Sequence, residues 1–390
     1  MAISKTGSRP DGEGLAMVAG EVSGDMLAAS VLEPLRAIAP DLTGYGIGGP
    51  KMGEQGFDAW WPSETLAVRG YVEVLSVYPK LLSIRSQLAS RMIKNPPKIF
   101  VGVDAPDFNL GLEARLKNKR IRTAHFISPS IWAWRGGRID KIRDAVDHML
   151  VLFPFEEQIY RKAKIPATFV GHPLADKIPL EVSQSRARKK LGLPEGQKII
   201  AMLPGSRMSE IVHNAPRFIE TMKKIESMRY EWAFVWPAAT PKIKLKLELL
   251  LAQAKLGSSF PVTITNGHSH DVLAACDSVL VASGTATLEA ALFKKPMVIS
   301  YHMNAISYRI MKPMAYLPYV GLPNILTGEF TVPEFIQDFA KPDVMAATLI
   351  KQVENDDDRA RLITRFNQMH LQLRQNCGQR SAQVICDLAQ

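Results

Sequence analysis

Short apolar runs alternate with amphipathic segments along this chain, and midway the alternation starts again. Strands separated by helices return to the same end of a sheet and pair in parallel, so this order predicts α/β layers. In the first half the strand candidates are Leu15–Ala19, Lys98–Val103, Arg122–Ile127, His148–Leu152 and Thr168–Val170. Between them lie helix candidates Asp25–Ile38, Lys80–Lys94, Phe108–Lys119 and Pro154–Ala163. The second half offers strands Lys198–Leu203, Glu231–Val235, Val262–Thr265, Ser278–Ala282 and Met297–Tyr301. Its helices are His213–Met228, Lys242–Lys255, Val272–Ala275 and Ala286–Phe293. The expectation is two doubly wound domains, 15–175 and 197–345, joined by a linker over 176–196 that shows no strand signal. Residues 1–14 read as a flexible tail with no apolar secretory core, and 346–390 as polar helices. Open α/β sheets bind ligands at the carboxyl ends of their strands, so two facing domains would turn both ends toward one cleft.

A chain of 390 residues exceeds one ordinary core, and its 46% hydrophobic and 22% charged residues are globular values. No apolar run approaches the ~20 residues that span a bilayer. Cys276, Cys377 and Cys386 lack metal-ligand spacing and suit a reducing compartment. His125, His172, His213, His268, His270 and His302 are scattered, so no metal and no other cofactor is expected. The net charge is +10, with clusters at Lys117, Lys119, Arg120 and Arg122 and at Arg186, Arg188, Lys189 and Lys190. These read as solvated helix faces or as attraction to an anionic partner, either membrane headgroups or a phosphorylated substrate. Nucleic acid is not expected, because no stacking-aromatic, zinc or recognition-helix pattern accompanies the charge.

Two turns in the second half favour a diphosphate. Ser283, Gly284 and Thr285 separate an apolar strand from a helix, leaving amides open at a helix N-terminus, and Glu289 follows near the mouth. A bare phosphate gains nothing from that carboxylate, whereas a nucleotide sugar offers hydroxyls for it. Gly205, Ser206 and Arg207 end another strand; the first two suit backbone contact with phosphate, and the guanidinium can hold a departing diphosphate. Asn324, at the end of the apolar loop Tyr319–Pro323, could read a uracil or ribose edge.

In the first half Asp104 ends an apolar run and is a candidate general base, with Asp107 as the N-cap of the following helix. Gly20, Glu21 and Ser23 form a glycine-flanked turn after the first strand, where Ser23 or Asp25 can cap the helix and the turn can wall an acceptor site. Gly44, Gly46 and Gly49 match a dinucleotide spacing, but they are not at the first strand–helix turn and read as a glycine-rich loop. Trp132, Trp134 and Arg135 follow a strand end, where they could pack an acyl or sugar group and hold a phosphate, or pack in the core. The apolar stretch with Val68, Tyr71, Val72, Leu75, Tyr78 and Leu82 reads either as a buried helix or as a segment dipping into a membrane surface.

Six of these segments in order resemble the lipid-A-disaccharide synthases: Val18–Asp25, Val101–Asn109, Ser128–Arg135, Leu203–Arg207, Ala282–Glu289 and Leu322–Asn324. The resemblance implies a two-domain GT-B glycosyltransferase, inverting and metal-independent, on the inner face of the inner membrane of Gram-negative bacteria. It implies UDP-2,3-diacylglucosamine and 2,3-diacylglucosamine 1-phosphate (lipid X) as substrates, and lipid A disaccharide 1-phosphate and UDP as products. Asp104 matches the family's proposed base and Arg207 its essential donor-side arginine. The C-terminal segment can cross back to the first domain or exchange in a homodimer. Here Gly328–Thr331 lacks the basic residue the family usually carries before Val332–Glu334, so contacts made by that loop are not carried over. Rival readings of the residues are a UDP-sugar 2-epimerase of the same architecture and a nucleotide-sugar or lipid-binding protein without turnover.

Overall fold

The computed structural model describes residues 14–66, 71–133, 136–228, 231–256, 261–304, 308–309 and 316–390, with the side chains of 71–77 outside the description. The chain divides into two compact units, one formed by residues 1–176 and 373–390, the other by Lys177–Gln372.

The first unit follows the order β1 (Leu15–Ala19), α1 (Glu21–Ile38), β2 (Gly44–Gly48), α2 (Pro50–Glu54), β3 (Asp58–Pro62), α3 (Tyr71–Lys94), β4 (Ile99–Val103), α4 (Pro106–Lys117), β5 (Thr123–Phe126), α5 (Arg138–Ala145), β6 (His148–Val151), α6 (Pro154–Lys162), β7 (Ala167–Phe169) and α7 (Pro173–Lys177). Its seven strands pair in parallel in the order β3-β2-β1-β4-β5-β6-β7. The strand order reverses between β1 and β4, the place where such sheets bind ligands. One face of the sheet packs on α1, the other on α3 and α4.

The second unit continues with α8 (Gln184–Leu191), β8 (Ile199–Leu203), α9 (Met208–Ser227), β9 (Ala233–Ala238), α10 (Pro241–Gln253), β10 (Val262–Asn266), α11 (Ser269–Ala275), β11 (Ser278–Val281), α12 (Thr285–Leu292), β12 (Met297–Tyr301), α13 (Leu322–Thr327), β13 (Glu334–Ile336), α14 (Pro342–Glu354) and α15 (Asp356–Leu373). Its sheet, β10-β9-β8-β11-β12-β13, is parallel and repeats the same switch between its first and fourth strands, β8 and β11.

Several expectations are corrected. Gly44–Gly48 is a buried strand, not a loop. A Cβ on Gly46 would meet the Met17 carbonyl at 2.2 Å, and one on Gly48 would meet the Met52 sulfur at 2.7 Å, so only glycine lets the neighbours approach this closely. Asp25 does not cap α1. Its buried carboxylate accepts from the amides of Gly49, Lys51 and Met52 at 2.9–3.0 Å and so caps α2. The expected linker over 176–196 shows no strand and carries α8. In α8, Arg188 is buried, donating to the Ala275 and Glu195 carbonyls and pairing with Asp277 at 2.7 Å, so part of that basic cluster is structural.

Of the C-terminal helices expected to pack on the first domain, α14 packs in the core of the second unit, through Met345, Leu349 and Val353. Only α16 (Cys377–Ala389) joins the first unit, where Ala382 and Ile385 bury beside α1.

Candidate active site

Backbone strain gathers at the carboxyl edge of the first sheet. After β1 Glu21 has φ 59°, after β4 Asp104 and Ala105 have φ 49° and 44°, and after β5 Ile127 has φ 81°. Side chains other than glycine rarely adopt such angles; each costs roughly 1–3 kcal/mol and persists only where neighbours impose it. The imposing bonds are clear. Asp104 donates its amide to the Phe126 carbonyl at 2.9 Å, Ile127 donates to Leu150 at 3.0 Å, and Asn109 Nδ2 grips the Asp104 carbonyl at 2.8 Å. The Asp104 residue is thus exposed on a fixed bend beside the switch point. Asp107 is not the N-cap; Ala105 holds that place, and the Asp107 carboxylate accepts from Arg138 Nη2 at 2.7 Å.

On the same edge Gly20, Glu21 and Ser23 open α1, where Val22 and Met26 leave exposed apolar surface. Trp132 sits edge-on to Phe153 and Phe155 and donates its indole N–H to Glu156 Oε1 at 3.1 Å. Burial raises the Glu156 pKa to about 7 against the bonds it accepts. Arg135, like Trp134, lies outside the described residues. On α3, Tyr78 and Leu82 are exposed and Leu81 is half-buried, so the described end of the apolar stretch lies at the surface, while Ile84, Leu88 and Met92 beyond it are buried. The backbone at Tyr71, Val72 and Leu75 is helical, but their side chains lie outside the description, as does Val68 entirely.

In the second unit the two turns differ. After β8, Gly205 has φ 131°, and Glu210 folds back so that one carboxylate oxygen accepts from the amides of Ser206 and Arg207 at 2.9 and 3.1 Å. The Ser206 amide expected to meet phosphate is therefore already satisfied by the carboxylate of its own helix, an ordinary capping arrangement. The Arg207 guanidinium, 80% exposed, meets Glu210 at 3.3 Å, a surface pair too weak to hold it from a ligand.

After β11, Gly284 has φ 152° and nothing lies within 4 Å of where its Cβ would be. The amides of Thr285 and Ala286 have no acceptor among the described residues. Ser283 Oγ donates to the Val320 carbonyl at 2.8 Å and Thr287 Oγ1 accepts from the Leu322 amide at 3.2 Å, tying the 320 loop to this turn. Glu289 lies one turn further, with His270 Nε2 at 3.4 Å.

Asn324 is corrected. It is fully buried, with Nδ2 donating to the Val332 carbonyl and Glu334 and Oδ1 accepting from the Val332 amide, all within 2.8 Å. No edge of its amide is left for a base or a ribose; it pins the loop instead. In the stretch that lacks the basic residue, Glu329 pairs with Arg365 of α15.

The sequence reading missed a buried pair under Asp104. His125 Nδ1 and Glu113 Oε1 meet at 2.7 Å with both side chains wholly buried. The available signal was a histidine inside the apolar run of β5, since an ionisable group in a buried strand requires a partner.

The family model for lipid-A-disaccharide synthetase matches residues 15–386. The chain belongs to the lipid-A-disaccharide synthase family. It is 51% identical over 374 residues to the lipid-A-disaccharide synthase of Dechloromonas aromatica (strain RCB), covering 96% of this chain and 98% of that one. It is 52% identical over 372 residues to those of Paraburkholderia phymatum and Burkholderia pseudomallei (strain K96243), covering 95% of each chain. Family membership makes the protein a glycosyltransferase of lipid A biosynthesis.

Solved structures show the GT-B fold. The glycotransferase of kitacinnamycin has TM-score 0.64 at 14% identity, covering 98% of this chain and all of that one. Medicago truncatula UGT71G1, complexed with UDP-glucose, has TM-score 0.60 at 12% identity, covering 97% and 98%. A UDP-GlcNAc 2-epimerase from Neisseria meningitidis shares the architecture, with TM-score 0.63 at 10% identity over 96% of this chain and all of that one.

Proposed function

We propose that the enzyme transfers the sugar of UDP-2,3-diacylglucosamine to lipid X with inversion and without a metal. The observation that carries this reading is the exposed Asp104 carboxyl group on a doubly strained bend at the first switch point. The acceptor binds the first unit, beside Gly20–Ser23 and Trp132. The donor's diphosphate binds the second unit, at the open amides of Thr285 and Ala286, with Arg207 on its oxygens and Glu289 on a sugar or ribose hydroxyl. Asp104 takes the proton of the acceptor 6-hydroxyl. The freed oxygen pair bonds to the anomeric carbon from the face opposite the diphosphate, whose C–O bond breaks and whose electrons leave with UDP. One displacement gives a β-1,6 linkage.

The test is product formation followed by thin-layer chromatography, with and without chelator. Asp104→Asn is expected to lose at least about 100-fold in kcat with UDP affinity retained. Near-normal turnover would remove Asp104 as the base. UDP-sugar conversion without lipid X would point instead to epimerisation.

The net charge of +10 and the exposed Tyr78 and Leu82 support docking on an anionic membrane surface. Among the described residues no helix is long and apolar enough to cross a membrane. Tyr78→Ser/Leu82→Ser should sediment less with anionic vesicles than the unaltered chain at equal thermal stability. Equal sedimentation would assign that surface to another role.

A further inference from the structure

The Glu289 carboxylate, placed above on a hydroxyl of the donor, has a protein partner of its own. His270 Nε2 lies 3.4 Å from Glu289 Oε1. Among the described residues no other hydrogen bond or ion pair reaches that carboxylate, so Oε2 is left open. The Glu289 side chain is 20% exposed and that of His270 35%, so the pair stands between protein and water. A carboxylate can only accept, so the bond requires the imidazole proton to be on Nε2.

His270 is held in place from several directions. It is the second residue of α11, and the Val272 amide closes the first turn of that helix on the His268 carbonyl at 2.9 Å. Before the helix, Gly267 donates its amide to the Ala238 carbonyl at the end of β9, at 2.7 Å. After His270, the Asp271 carboxylate is gripped by Lys190 of α8 at 2.7 Å and by His268 Nδ1 at 3.0 Å. The His270 ring lies 5.3 Å from that of Phe293, tilted by 59°. Phe293 is buried one turn beyond Glu289 and donates its amide to the Glu289 carbonyl at 2.9 Å. One imidazole therefore meets two successive turns of the same segment, with its ring on Phe293 and its Nε2 on Glu289.

A pair this exposed adds little to stability. It does limit rotation. A glutamate has three side-chain torsions to settle when it meets a hydroxyl, and one already held by a fixed donor loses less freedom on binding. The open amides of Thr285 and Ala286 lie one turn before Glu289 on the same helix, so the held carboxylate and the anion-favouring turn belong to one rigid piece.

We propose that His270 is a positioning residue for Glu289: its Nε2–H fixes Oε1 and leaves Oε2 to accept the donor hydroxyl. No bond is made or broken at either residue, and neither proton moves. This rests on Glu289 meeting a hydroxyl of the donor.

The experiment is steady-state kinetics with UDP-2,3-diacylglucosamine at saturating lipid X. It compares the unaltered chain with His270→Phe, which keeps a ring against Phe293 and removes the donor, and with His270→Gln, which keeps an N–H donor. Glu289→Ala and the His270→Phe/Glu289→Ala double variant complete the cycle. His270→Phe should raise the donor KM about fivefold, the worth of one hydrogen bond, with kcat and the lipid X KM within about twofold. His270→Gln should stay within about twofold of the unaltered chain, and the double variant should match Glu289→Ala alone. A purely packing role predicts the reverse, with His270→Phe the milder change. An unmoved donor KM in His270→Phe, or effects that multiply in the double variant, would overturn the positioning role and leave Glu289 on the donor. An unmoved donor KM in Glu289→Ala would overturn the donor contact itself.

Discussion

Glu156 and His172 flank the Phe153 ring, and burial moves their proton affinities in opposite directions. Phe153 stacks on His172 at 5.6 Å and donates its amide to Glu156 at 3.0 Å. The Glu156 pKa rises to about 7 and the His172 pKa falls to about 4, each chiefly by loss of water around the charged form. A carboxyl whose folded pKa is raised binds its proton more tightly when folded, so its contribution to stability falls as pH climbs from the usual carboxylate range to about 7. A depressed histidine works the other way, its contribution rising between about pH 4 and its ordinary value. Each amounts to about 3 kcal/mol over its window, and across their shared range they nearly cancel. Removing one exposes the other. Urea midpoints of Glu156→Gln should therefore climb from pH 4.5 to 6.5 while those of the unaltered chain stay comparatively flat. Parallel curves would mean that Glu156 does not hold its proton at neutral pH.

At the scale of elements, the loop from Tyr319 to Ile336 depends on one amide. Asn324 joins α13 to the Val332 backbone and to Glu334, which in turn accepts from the amides of Val320 and Gly321 at 2.9 Å. Asn324→Ala leaves two backbone groups and a half-buried carboxylate short of partners, and should cost about 2–4 kcal/mol in urea unfolding. Donor KM should rise too, because Ser283 and Thr287 lose the loop they are tied to. A change below about 0.5 kcal/mol would show that water replaces the bonds.

This element also shows where sequence reading stops. Asn324 was visible as an amide in an apolar loop, but whether it points at a ligand or at its own backbone depends on Val332 and Glu334, which only folding brings close. The strands with long buried runs were legible, since apolar residues between turn formers have few other uses. Gly44–Gly48 was not, because its glycines carry no apolar pattern; they serve the packing of Met17, Met52 and Phe57 around them. The positions of Asp104, directly after β4, and Arg207, in the turn after β8, were legible because polar residues that follow a buried apolar run mark the carboxyl edge of a sheet. Glu113, Glu156 and Glu210 were not, since a carboxylate on a helix reads as solvated until its partner is known.

For the whole molecule, the first unit is discontinuous in sequence. Its sheet and α1 are covered by α16, with Cys377, Ala382 and Ile385 buried in the same core as Leu15 and Val101. The Asp176 carboxylate fixes the start of that helix by accepting from the amides of Asn376 and Cys377 at 2.9 and 2.6 Å. Ile385→Ala should cost about 2–4 kcal/mol. Ending the chain at Gln372 should leave the second unit folded and the first exposing apolar surface, read as one lost melting transition and dye binding. Two intact transitions would show that α16 merely rests on the surface.

The same discontinuity sets an order of events on the ribosome. Domains made of one continuous stretch usually fold in the order they emerge. Here the N-terminal sheet is synthesised first yet completes its core last, after the second unit has all its residues. Through nearly the whole of translation the nascent chain lacks the residues that bury beside α1. A chain that stalls before Cys377 is therefore left with its oldest part unfinished.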